Sequence, residues 1–117
     1  MDTKQMTTII AALMTAQYQR QHGAQPPHPE MVERDAAEEA ELGDESAWVR
    51  MVSRYYAAGR NLADTHITPG ALADELAGRV VMPVSATAAE IAEMRASIAE
   101  AVRLGYEAAV REAQTAA

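Results

Sequence analysis

Apolar residues recur along this chain at three- and four-residue steps, the period of one face of an α-helix, in several stretches separated by glycine, proline and capping residues. From Thr3 to His22 the positions Met6, Ile9, Ile10, Leu13 and Tyr18 follow that spacing, and Gly23 supplies a stop. Pro26, Pro27 and Pro29 then predict an extended linker, because proline fixes its own φ and restricts the residue before it. A second helix is expected from about Pro29 to Leu42, just before Gly43. Its apolar face, Val32, Ala36 and Ala40 with Met31 at the edge, is thin. Asp44 predicts the N-cap of a third helix reaching about Asp64, with Glu45 near the positive end of its dipole. The stripe on that helix is Trp48, Val52, Tyr55, Gly59 and Leu62, which is heptad spacing.

Thr68 before Pro69 predicts an N-cap followed by a first-position proline, and Ile67 is placed to close over Leu72. This short fourth helix should stop at Gly78. Arg79 to Val84 reads as extended, and Pro83 argues against a central strand. Thr87 with Glu90 three residues later forms a capping box that opens a last helix reaching about Gln114. Its stripe is Ile91, Met94, Ile98, Ala101, Gly105 and Ala108, again heptad-spaced.

Gly59 and Gly105 fall on these stripes inside long helices, where glycine costs about 1 kcal/mol relative to alanine. Close helix contact is the simplest compensation, with Ala101 and Gly105 admitting a bulky face such as Tyr55 or Leu62. A last helix of about 27 residues would be roughly 40 Å long, against about 35 Å for a compact chain of this size. An overhanging apolar stripe needs a partner. The expected fold is therefore all-α, with four to five helices, the long third and fifth packed as an antiparallel pair in a homodimeric bundle. Trp48, Val52, Tyr55, Gly59, Leu62, Ile98, Ala101, Gly105 and Ala108 are its expected packing residues. One domain is expected over 1–117, divided into an N-terminal helix and linker (1–28), an acidic helix (29–43) and a helical core (44–117).

Composition agrees with that class and adds an asymmetry. Hydrophobic residues make up 49% of the 117 positions, enough for a core, and Ala, Glu, Arg, Met and Gln favour helix. The segment Glu30 to Glu45 carries eight acids and one base, Arg34, which accounts for the whole formal charge of −7. Such a one-signed field steers a partner of opposite sign. With no cysteine there is neither a disulfide framework nor a thiolate metal site. The apolar run Met6 to Ala16 fails as a signal peptide, since Asp2 offsets Lys4 and three threonines interrupt it; a cytoplasmic address is expected. The Ala and Arg bias with a single Lys is that of a GC-rich bacterial or phage gene.

Candidate chemistry is sparse. His22, His28 and His66 share no helix face, and metal sites need three or four convergent ligands. Asp64-Thr65-His66 lies at a helix end, where a histidine interacts with the last carbonyls. There is no glycine-rich phosphate loop and no nucleophile elbow. We therefore expect no enzymatic activity and no metal or other cofactor. Arg50 and Arg54, one turn apart beside Tyr55, are expected to pair with the acidic second helix or to form an anion- or partner-binding patch. The net negative charge and dispersed bases argue against direct nucleic-acid binding. If Tyr55 is core, Tyr56 points about 100° away, toward solvent, as a contact anchor.

The expected function is that of a regulator that binds and inhibits a partner protein through a helical surface, with Tyr56, Arg50, Arg54, Glu38, Glu39 and Glu41 as candidate contacts. In size, acidity and helicity the chain is similar to bacterial antiactivators that sequester transcription regulators. Two other readings stand beside it: a phage-encoded acidic inhibitor, either an anti-CRISPR protein or a DNA mimic, and a structural or assembly adaptor.

Overall fold

Local signals set most of the helix boundaries. A computed structural model describes residues 1–116, so Ala117, the last residue of the expected core segment, lies outside it; the described residues form helices and connections, with no strand among them. The chain divides into two compact units, Met1–Ser53 and the residues from Arg54 onward.

In the first unit α1 spans Thr3–His22. Its start is a capping box: the Asp2 carboxylate accepts from the Gln5 N–H at 2.8 Å, and the Asp2 N–H donates to Gln5 Oε1 at 3.3 Å. Its end is Gly23, whose φ of 68° is left-handed and whose N–H donates to the Gln19 carbonyl at 2.8 Å. The prolines then turn the chain into α2, Pro29–Leu42, which packs along α1. Of the thin α2 face only Ala36 is fully buried, while Val32 and Ala40 are half-buried. Ile10 and Leu13 of α1 are buried in the same unit.

The start of the third helical stretch differs from expectation. Gly43–Glu45 forms a single 3₁₀ turn, and the cap of α3, Ala47–Met51, is Ser46 rather than Asp44. The Ser46 Oγ accepts from the Val49 N–H at 3.3 Å and donates to Glu39 Oε2 at 2.6 Å, so one buried hydroxyl caps α3 and ties it to α2. Asp44 has no such second partner for its side chain, and the 3₁₀ turn spends it before the helix begins.

From Val52 to Tyr56 the backbone widens into a π-helical turn, followed by α4, Ala57–Arg60. The predicted continuous α-helix is thus three pieces that stop short of Asp64. Val49 and Tyr56 are buried where Trp48 and Tyr55 were expected to be, and the latter two are half-buried. The wide turn accounts for the exchange at the tyrosines, because it alters the angular position of every residue after Val52 relative to a regular α-helix.

In the second unit α5, Pro69–Gly78, starts where Thr68 accepts from the Ala71 N–H at 3.1 Å. Ile67 remains 53% exposed and makes no closed staple. The last helix, α6, spans Ala88–Ala116, longer than expected. Its capping box is formed by Thr87 and Glu90: the Glu90 N–H donates to Thr87 Oγ1 at 3.1 Å and the Thr87 N–H to Glu90 Oε1 at 3.3 Å. Leu62, Ala73, Ala77, Ile98 and Val102 form the core of this unit, with Tyr55, Leu72, Leu76, Val80, Met94 and Tyr106 packed around it.

The two stripe glycines meet in that core. A β-carbon on Gly59 would lie 2.0 Å from the Val102 carbonyl oxygen, and one on Gly105 2.0 Å from the Tyr56 carbonyl oxygen. Two helix backbones therefore touch with no side chain between them. What approaches Gly105 is the backbone of Tyr56 and Arg60, not the bulky side chain anticipated. Ile98, Ala101 and Leu62 are at most 5% exposed, and Ala108 is half-buried. Of the residues assigned above to a dimer, Val52, Gly59, Leu62, Ile98, Ala101 and Gly105 are thus already buried within one chain, while Trp48, Tyr55 and Ala108 are half-buried.

Beyond the crossing, α6 is tied to α4 by a two-pronged ion pair, Arg60 Nη1 to Glu112 Oε1 at 3.0 Å and Arg60 Nη2 to Glu112 Oε2 at 2.6 Å. The fork holds the Glu112 carboxyl below its ordinary range, and Glu112, with Tyr56 adding to it, keeps the Arg60 guanidinium more firmly charged. A lowered carboxyl pKa adds stability that is complete above the unfolded-state pKa and is lost as pH falls through the folded-state value. In an NMR titration the Glu112 carboxyl should have a lower midpoint in the wild type than in Arg60→Gln; equal midpoints would refute the pairing in solution.

Candidate partner-binding surfaces

A surface that recognises a partner is built from side chains the fold leaves outside, so the predicted contact residues sort by exposure. Tyr56 is 8% exposed, and its carbonyl abuts Gly105; it belongs to the core and is withdrawn as a contact anchor. Tyr55, the expected core residue, is half-buried and carries the Arg54 guanidinium 5.7 Å from its ring centroid, a cation–π distance. Arg54 is otherwise exposed.

Arg50 forms no carboxylate pair with α2. Its Nη1 donates to the Asp44 carbonyl at 2.7 Å, because the 3₁₀ turn directs that carbonyl toward the first turn of α3. The acids of α2 also differ among themselves. Glu39 is half-buried and accepts the Ser46 hydroxyl, which gives it a structural use. Glu38 and Glu41 are exposed, as are Glu30, Glu33 and Asp35. Arg34, the segment's one base, lies 3.7 Å from Asp35, an exposed pair of little energetic consequence. The outer side of α2 also presents two apolar residues near its ends, Met31 at 45% and Leu42 at 52% exposure. Glu38, Glu39, Glu41 and Arg50 belong to the first unit, and Arg54 and Tyr56 to the second.

The largest apolar exposure among the described residues lies in the α5–α6 connection, where the sequence predicts only extended chain. Val81 is 93% and Val84 107% exposed, while Val80 packs on the core and Met82 is half-buried. Two backbone bonds shape the segment, Val80 N–H to the Ala77 carbonyl at 3.2 Å and Ala86 N–H to the Pro83 carbonyl at 2.9 Å. Pro83 has no N–H to continue a ladder. The sequence signal was available: five apolar residues, Val80 to Val84, with no helical spacing and no charge.

The histidines stay apart. The His22 ring lies against Tyr18 with centroids 4.2 Å apart, His28 Nδ1 is 3.5 Å from Glu30 Oε1, and His66 is exposed. Among the described residues no three His, Asp or Glu side chains are grouped to hold a metal ion, and no helix is long and apolar enough to cross a membrane. Two further surface bases are paired locally, Arg79 with Glu75, and Arg103 with Glu100 and Glu107. Compared with known proteins, the chain matches no family model, no curated protein and no solved structure.

Proposed function

We propose that this chain is a non-enzymatic regulatory protein that binds and inhibits a partner protein by apolar contact flanked by charge, in the manner of an antiactivator that masks a transcription regulator. The observation that carries the reading is the exposure of Val81 and Val84. Burying a valine side chain is favourable by about 1.5–3 kcal/mol, a gain the free chain forgoes twice and a partner would recover. Helical caps at Thr68 and Thr87 hold the flanking helices, so the segment is presented with less to order on binding than a free peptide would have.

The test is affinity purification from the native host, followed by titration of the recovered partner. Val81→Ser with Val84→Ser should weaken binding at least tenfold with the helical spectrum and melting temperature unchanged. Affinity unaltered by the double substitution would refute the role of this segment. The acid-rich outer side of α2 favours the second reading, a phage-encoded acidic inhibitor: affinity would then fall steeply with added salt and with Glu38→Gln and Glu41→Gln. An adaptor would instead form higher-order oligomers.

Two structural elements belong to the same proposal. We read α4 and α6 as antiparallel, because Tyr56 meets Gly105 whereas Gly59, further along, meets Val102, earlier in α6. A homodimer would use faces other than the buried stripe residues, and a clean monomer in size-exclusion chromatography with light scattering refutes it. A cytoplasmic setting fits a chain without cysteine.

A further inference from the structure

Val32, Ala36 and Ala40 turn one side of α2 inward, which leaves its outer side in water. On that outer side Met31, Asp35, Glu38 and Leu42 follow one another at steps of four, three and four, all exposed, with Met31 at 45% and Leu42 at 52%. Eleven residues are three helical turns to within about 20°, so the four form one straight line roughly 16 Å long. Its order is apolar, acidic, acidic, apolar. Glu41 lies beside the line three residues after Glu38, and Arg34, also beside it, is 3.7 Å from Asp35. Among the described residues no cation pairs with Glu38 or Glu41, while Glu39 is committed to the Ser46 hydroxyl. Carboxylates three residues apart on a helix repel each other, and nothing in the chain relieves that repulsion at Glu38 and Glu41.

We propose that this line docks a basic amphipathic helix of a partner protein, with Met31 and Leu42 as apolar anchors and Asp35 and Glu38 as the charge contacts between them. Charge complementarity sets the chemistry of the occupant: arginine or lysine opposite the two acids, apolar side chains opposite the two ends. Steps of three and four form the seam of one helix laid along another, so the partner's contact residues recur at the same steps. Its cations relieve the repulsion around Glu38 and steer its approach, while the apolar ends set how far along α2 it sits. The order reads the same in both directions, so parallel and antiparallel helices satisfy it alike. The line lies in the first unit and shares no residue with Val81 and Val84, so it stands or falls apart from their role.

NMR titration of the intact chain tests this with a capped peptide of roughly 18 residues, long enough to be helical, built on alanine and lysine and carrying leucine, arginine, arginine and leucine at steps of four, three and four. Its control is an isomer of equal composition and charge with the two leucines moved to the opposite face. At low salt the patterned peptide should shift the amides of residues 31–42 and bind at least tenfold more tightly than the isomer. Leu42→Ser and Met31→Ser should each weaken the patterned peptide about threefold or more and leave the isomer unchanged, whereas Glu38→Gln should weaken both. Val81→Ser with Val84→Ser should change neither. Equal affinity for the two peptides, the behaviour of a surface that acts by charge alone, would overturn the docking line. So would indifference to Glu38→Gln, or the absence of shifts in α2 at millimolar peptide. Should a variant fail to fold, the wild-type comparison of peptide and isomer decides.

Discussion

Gly59→Ala is expected to destabilise the chain severely, although alanine in place of a helical glycine ordinarily stabilises by about 1 kcal/mol. The added methyl would sit 2.0 Å from the Val102 carbonyl oxygen and 2.8 Å from its carbon, both backbone atoms that no rotamer change can remove. The helices must part, and that loosens Ile98, Val102 and Leu62, which are at most 5% exposed. Overpacking costs about 1–3 kcal/mol where side chains can adjust, and here they cannot, so a net loss of about 3 kcal/mol or more is expected. Gly105→Ala meets the Tyr56 carbonyl at the same distance and should match it. With about 4–8 °C of melting temperature per kcal/mol for a domain of this size, each variant should melt more than ten degrees lower. The control is Gly70→Ala, exposed in α5 with nothing within 4 Å, which should keep or raise the melting temperature. Equal, mild effects at Gly59 and Gly70 in thermal melts would rule out the backbone crossing. The two clashing substitutions act at one crossing and should be far from additive in combination.

Where the sequence could be read, its signals were local. Thr68-Pro69, Thr87 with Glu90, and Gly23 each specify a backbone conformation through atoms two to four residues away, so no knowledge of the rest of the chain is required. The glycine stripes were legible for a related reason: an unfavourable residue at a regular interval points to a constraint that repays it. What supplied the constraint was not legible, since Val102 follows the expected stripe residue Ala101 and its carbonyl matters only after α4 is laid on it. Ser46 and Asp44 are equally good caps by type, and only the position of Glu39 on a different helix decides between them. The apolar run Val80 to Val84 is ambiguous in the same sense. Hydrophobic residues in sequence imply burial, and their exposure follows from where α5 ends and α6 begins.

The tyrosine pair is the sharpest instance of a tertiary effect overriding periodicity, and its energetic consequence can be measured. Tyr56→Ala should cost about 3–5 kcal/mol, the usual range for deleting a buried aromatic ring, because Tyr56 is 8% exposed beside the helix crossing. Tyr55→Ala should cost much less, about 1–2 kcal/mol, as its half-buried ring covers the core edge and a surface arginine rather than filling the interior. A regular α-helix carrying the heptad stripe of Trp48, Val52, Tyr55, Gly59 and Leu62 predicts the opposite order. The two substitutions remove the same atoms from adjacent residues, so differences in the unfolded chain largely cancel between them. Tyr56→Phe keeps the ring and removes only the hydroxyl near Arg60, and should retain most of the stability. Denaturant unfolding of the three variants would therefore fix the phase of the helix in solution. A Tyr55→Ala chain less stable than Tyr56→Ala would show that the wide turn closes into a regular one, and would return Tyr56 to the surface as a residue available to a partner.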